Sequence, residues 1–135
     1  MIPLHEAQET VLAGCSPLTP VQVAYTEMTG RVLDQDVVAV EDVPPFRNTA
    51  VDGYAVRATD AEQVPVELRV VDTLAAGAEP KIAVNAGEAI RIMTGAPMPV
   101  GADAVVMVED TQRVGEANVL ISRSAKVHDG VRDAG

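Results

Sequence analysis

The sequence predicts a mainly β (α+β) domain preceded by one short helix and an extended arm. Three observations carry this. The apolar fraction is 47% and is dominated by Val and Ala; the branched Cβ of Val packs well on a pleated surface. Apolar and polar residues alternate with period two in several short runs. Ten glycines and nine prolines punctuate those runs at turn positions. At this length roughly two-thirds of the unfolded surface can be buried, so a core is feasible in one compact domain with a small appended element.

Only the first segment reads as a helix, over residues 4 to 13. Pro3 suits a first helical turn, where its missing N–H costs nothing. Leu4, Ala7, Val11 and Leu12 share one face, Glu6 and Glu9 lie early where the helix dipole favours anions, and Gly14 is a stop. Ser16-Pro17-Leu18-Thr19-Pro20 is a linker. Val21, Val23 and Tyr25 alternate with Gln22 and Ala24, which predicts a strand, and Val37 to Val40 predicts another. Glu41-Asp42-Val43-Pro44-Pro45-Phe46 is stiff and extended, because adjacent prolines fix φ and forbid central ladder positions.

Beyond it the pattern is β. Strands are predicted around Val66–Val70, Ala89–Met93, Ala104–Val108 and Val119–Ile121. The third of these is a continuous apolar run, as expected of a strand buried on both faces. The boundary falls near residues 40 to 45, dividing the chain into an arm, 1–40, and a β-rich domain, 41–135.

Charge and composition exclude several functions. A net charge of −10 repels phosphate backbones, and one Phe, two Tyr and no Trp leave few stacking platforms for single strands. Acidity also opposes anionic membrane surfaces, and no stretch approaches a membrane span. Nucleic acid and membrane are therefore not expected as partners. A lone Cys15 allows no intrachain disulfide, and the N-terminus has no basic region ahead of a long apolar run. Cytoplasmic localisation is the expectation.

Two loops could carry chemistry. In Asn48-Thr49-Ala50-Val51-Asp52-Gly53-Tyr54-Ala55-Val56, Asp-Gly is a turn dipeptide: Gly53 can take positive φ and Asp52 can bond its own backbone. A carboxylate is thus held at a loop tip before a short strand. In Arg91-Ile92-Met93-Thr94-Gly95-Ala96-Pro97, a strand ends at Thr94 and Gly95, whose hydroxyl and backbone N–H groups can receive an anionic ligand. Taken singly, each loop also reads as an ordinary connection with a solvated Asp or a generic Gly-Pro turn. His5 and His128 lack metal-ligand spacing, and Glu41-Asp42 and Glu109-Asp110 read as solvated strand ends.

Together the loops are more specific. Asp42 to Ala55, centred on Asn48-Thr49-Ala50-Val51-Asp52-Gly53-Tyr54-Ala55, resembles the hallmark of the molybdopterin molybdenumtransferase family, which includes bacterial MoeA and the gephyrin E domain. The family usually writes Ser-Ala-Met-Asp-Gly-Tyr-Ala; Thr49 and Val51 here keep a hydroxyl and an apolar side chain. Arg91 to Pro97, with Pro99, Gly101, Ala104 and Val105, resembles its second block. Gly30-Arg31-Val32-Leu33 with Asp36-Val37 matches the segment ahead of the first.

The resemblance covers essentially the whole chain and implies a MoeA N-terminal-like β-rich domain. It implies an enzyme of molybdenum cofactor biosynthesis that inserts molybdate into adenylylated molybdopterin and releases AMP, assisted by Mg²⁺. It implies a homodimer whose active site lies between the β-rich domain of one subunit and an α/β domain of the other, with molybdopterin adenylyltransferase as pathway partner. Carried over residue by residue, Asp52 and Thr94 are the catalytic pair, and Thr49, Gly53, Tyr54, Gly95 and Ala96 are substrate-binding or shaping residues; the metal ligands are unassigned. A carboxylate can act as acid or base, or orient a hydrated cation, and a hydroxyl with backbone donors can hold an oxyanion. Val131-Arg132-Asp133-Ala134-Gly135 resembles a family stretch that runs on into Glu-Asp, so an α/β domain and a terminal β-barrel are expected to be absent from these 135 residues.

Asp52 and Thr94 are expected at the same end of the β domain. Two other readings stay open: a non-catalytic β-rich dimerisation or docking module, and a carboxylate–metal hydrolase using Asp52 with Asp103 or Asp110.

Overall fold

A computed structural model of the chain describes residues 2–135; Met1, where the arm begins, lies outside them. The chain forms two compact units, Met1–Val38 and Ala39–Gly135.

In the first unit, helix α1 spans Leu4–Ala13, as its local pattern predicts. Pro3 stands at its N-cap with extended backbone, and the Gly14 N–H closes the last turn onto Val11 O at 3.1 Å. None of its residues is buried. The predicted strand at Val21–Tyr25 does not form: that stretch is irregular and enters a 3-10 turn at Tyr25–Glu27. Val37–Val40 is likewise no strand. Neither segment has a neighbouring strand to bond, and a strand exists only in a ladder.

The second unit holds eight strands: β1 Asn48–Thr49, β2 Gly53–Val56, β3 Val66–Leu74, β4 Glu88–Ile92, β5 Ala104–Met107, β6 Thr111–Val114, β7 Asn118–Ile121 and β8 Val131–Arg132. Six form one sheet in the order β5-β2-β4-β3-β7-β6, and β1 pairs with β8. All neighbours are antiparallel except β3 and β4. That parallel pair needs a crossover, provided by residues 75–87. The predicted strands at 66–70, 89–93, 104–108 and 119–121 are recovered within a few residues. Polar β6 and the two-residue strands carry too little apolar pattern to be read from sequence.

Alternation sorts the core into two layers. Tyr54, Val56, Leu68, Ala89, Val106, Val119 and Ile121 pack on one face. Ala55, Leu74, Ile90, Ile92 and Val105 pack on the other. Strands β2 and β5 are therefore buried on both faces, which explains why Ala104–Val106 is uninterrupted apolar sequence. Among the described residues no helix is long and apolar enough to cross a membrane.

Candidate functional site

The antiparallel register of β2 and β4 builds the site. Gly53 faces Ile92 and Tyr54 faces Arg91. The residue just before β2 is thereby brought beside the loop just after β4. Those positions are Asp52 and Thr94, which meet across 42 residues of sequence: Thr94 Oγ1 donates to Asp52 Oδ1 at 2.6 Å, and the Thr94 backbone N–H donates to the same oxygen at 2.7 Å. The expected convergence at one end of the domain is observed.

The frame around the pair is sewn by backbone bonds. The Gly95 N–H donates to Thr49 O at 2.9 Å, the Thr49 N–H to Ala96 O at 3.0 Å and the Met98 N–H to Arg47 O at 3.0 Å. The Val108 N–H holds Asp52 O at 3.1 Å. Thr49 is fully buried, and its hydroxyl donates to Val51 O at 2.6 Å. It ties the loop internally. Ala96 is also fully buried, and Tyr54 lies in the core with the Arg91 guanidinium 5.2 Å from its ring centroid.

Two local expectations change. Gly53 does not take positive φ; it sits in β2, where a Cβ would lie 2.1 Å from Val106 O. Glycine is required there by the close approach of β5. Gly95 is the residue in the left-handed region, at φ 84°, which turns the chain after Thr94. The backbone donors offered to an anionic ligand are engaged within the protein. Thr94 N–H serves Asp52, Gly95 N–H serves Thr49 O, and Ala96 N–H serves Met93 O. An oxyanion reaching this loop would have to displace one of those bonds.

What remains available is the carboxylate. Asp52 is exposed, and both Thr94 bonds fall on Oδ1, with no protein donor on Oδ2 among the described residues. Its carboxyl is held below the usual range, first by the Thr94 hydroxyl, then by the Thr94 backbone N–H, with a smaller contribution from the charge of Arg91. Charge-assisted bonds favour the ionised form. The pair thus presents an ionised carboxylate with one oxygen anchored and the other facing solvent, suited to accepting a proton or orienting a polar ligand.

The other carboxylates named from sequence are committed elsewhere. Asp103 Oδ1 accepts the Ala58 N–H at 2.7 Å, and Asp110 pairs with Arg123 at 3.4 Å. Among the described residues no three of His, Cys, Asp and Glu converge on a possible metal position. His128 is exposed and lies 3.5 Å from Asp133, and Cys15 is a free, exposed thiol. Sequence reasoning missed Arg91, although a lone charge inside the apolar run Ala89–Ile92 was a usable signal.

Comparison with known proteins is consistent across sequence and structure. Residues 2–135 match the family described as MoeA N-terminal region (domain I and II). The chain is 40% identical over 136 residues to molybdopterin molybdenumtransferase 2 of Mycobacterium tuberculosis (strain ATCC 25618 / H37Rv), covering 98% of this chain and 33% of the relative. It is 39% identical over 114 residues to molybdopterin molybdenumtransferase of Staphylococcus aureus (strain N315), covering 82% and 27%. The crystal structure of the molybdopterin biosynthesis moeA protein from Pyrococcus horikoshii OT3 superposes with a TM-score of 0.76 at 36% identity, over 100% of this chain and 37% of that one. The chain thus spans about a third of the length of these relatives.

Proposed function

The chain belongs to the MoeA N-terminal region family, and on that premise we propose that it forms the N-terminal part of a molybdopterin molybdenumtransferase. The reaction is the insertion of molybdenum, supplied as molybdate, into adenylylated molybdopterin with release of AMP. The observation that supports this best is the anchored Asp52–Thr94 pair, formed by the two blocks that resemble the family.

Asp52 is the proton-accepting or ligand-orienting group, and Thr94 fixes its rotamer and keeps it ionised. Gly53 and Gly95 shape the two approaches, while Thr49, Tyr54 and Ala96 support them from beneath. The Mg²⁺ implied by the family finds no cage of three donors among the described residues. The substrate-gripping α/β domain and the homodimer belong to the whole enzyme, as does hand-over from molybdopterin adenylyltransferase. Residues 1–135 alone are expected not to release AMP, because a transfer between two bound species needs both held in reactive geometry.

The test is a chimera in which residues 1–135 replace the matching part of the mycobacterial relative. Incubated with adenylylated molybdopterin, molybdate and Mg²⁺, it should release AMP and reconstitute a molybdoenzyme, and Asp52→Ala should abolish both. A folded chimera without turnover would favour a docking module instead. Full turnover with Asp52→Ala would remove Asp52 from the chemistry.

A further inference from the structure

Arg91 lies on β4, opposite Tyr54 on β2. Its guanidinium rests over the Tyr54 ring. From there Nη1 donates to Gly53 O at 2.7 Å and to Ile92 O at 3.3 Å. Gly53 directly follows Asp52, and Ile92 lies two residues before Thr94. One side chain therefore ties together the strand ends from which the two members of the pair project. Arg91 is only half-buried, so its charge is partly screened, but both hydrogen bonds of Nη1 are made within the protein.

We infer that Arg91 is a positioning residue for the Asp52–Thr94 pair: it clamps the Gly53 and Ile92 carbonyls and so sets the distance at which Thr94 reaches the Asp52 carboxylate. The clamp explains why a charged residue occupies an otherwise apolar strand. An aliphatic side chain at 91 would satisfy the sheet pattern but leave Gly53 O without this donor. A lysine would keep the charge, but it lacks the planar group seated over Tyr54, so its ammonium on a flexible stem is not held against the Gly53 and Ile92 carbonyls. The inference rests on the proposed function only in taking Asp52 as the working group; the geometry itself involves no substrate.

The experiment is amide NMR of the 135-residue chain without ligands. The Thr94 N–H donates to an ionised carboxylate, so its resonance and exchange rate report that bond directly. Asp52→Asn marks the position without a charged acceptor. Arg91→Met should move the Thr94 amide most of the way to that position and speed its hydrogen exchange by about tenfold or more. Arg91→Lys should give an intermediate shift. A merely structural Arg91 would lower the melting temperature without moving this resonance. A folded Arg91→Met chain with the Thr94 amide unmoved overturns the inference. If the Met variant does not fold, an unmoved resonance in Arg91→Lys overturns it equally. An inactive chimera with a shifted Thr94 amide in the Arg91 variants would instead sink the transferase reading and leave the clamp standing.

Discussion

The arm, Met1–Val38, and the β unit, Ala39–Gly135, draw on the same apolar alphabet and use it differently. In the arm Leu4, Val11, Leu12, Leu18, Val21 and Val32 are all exposed. In the β unit residues of the same types, such as Leu68, Ile92 and Val119, are fully buried. Hydrophobicity alone does not bury a side chain. The β unit succeeds because each strand has a hydrogen-bonded neighbour, so its alternate side chains reach a shared layer. Among the described residues the arm has a self-contained helix but no ladder, and none of the helix residues is buried.

The sharpest way to break this contrast is at glycine. Gly53→Ala would place a Cβ 2.1 Å from Val106 O and 2.9 Å from a Val105 methyl. Strands β2 and β5 would have to part, and we expect a loss of more than about 3 kcal/mol in chemical denaturation. In the arm, Gly30 has φ 82° but nothing within 4 Å of a built Cβ, so Gly30→Ala should cost no more than about 1–2 kcal/mol. Equal effects would mean that close approach is not what requires glycine at 53.

Truncating apolar side chains gives the next largest effect. Ile92→Ala, at a fully buried site, should lower stability by about 2–5 kcal/mol. Leu12→Ala, where the residue is 67% exposed, should stay within about 0.5 kcal/mol. A comparable loss at Leu12 would show that the arm buries its helix face.

The smallest effect is electrostatic and confined to acid. Asp52 and Glu88 both have lowered carboxyl pKa values; for Glu88 the bonds from the Asn85 backbone and side chain lead, with Arg69 adding charge. A group depressed on folding contributes stability above its unfolded pKa, here 3.8 and 4.5, and loses it as pH falls through the folded value. The thermal midpoint should therefore fall below about pH 4, and the double variant Asp52→Asn, Glu88→Gln should flatten that limb. An unchanged limb would mean that other carboxylates govern acid unfolding.

Helix α1 was legible because its signals are local: apolar spacing, early glutamates and Gly14. The longer strands were legible for a related reason, since period-two alternation and Gly-Pro punctuation record the pleat directly. Val21–Tyr25 carries the same alternation and Val37–Val40 is a short apolar run, but among the described residues no partner strand completes them. Strand β6, Thr111–Val114, was hidden by its polarity, because it sits at a sheet edge where both apolar faces are not demanded. Asp52 and Thr94 were legible as candidates through the blocks around them. The reason for Gly53 was not, because the Val106 carbonyl that excludes a side chain is more than fifty residues away in sequence.

By itself the sequence determined the helix, the positions of the long strands, the turns and the residue types at the site. These follow from local chemistry: backbone preference, side-chain period and the conformational freedom of glycine. Only the tertiary structure decided which strands pair and in what register. That register joins Asp52 to Thr94, spends the loop's backbone donors inside the protein and lays Arg91 across Tyr54 onto the Gly53 carbonyl. Distances of this kind belong to pairs far apart in the chain, and local chemistry carries no term that specifies them.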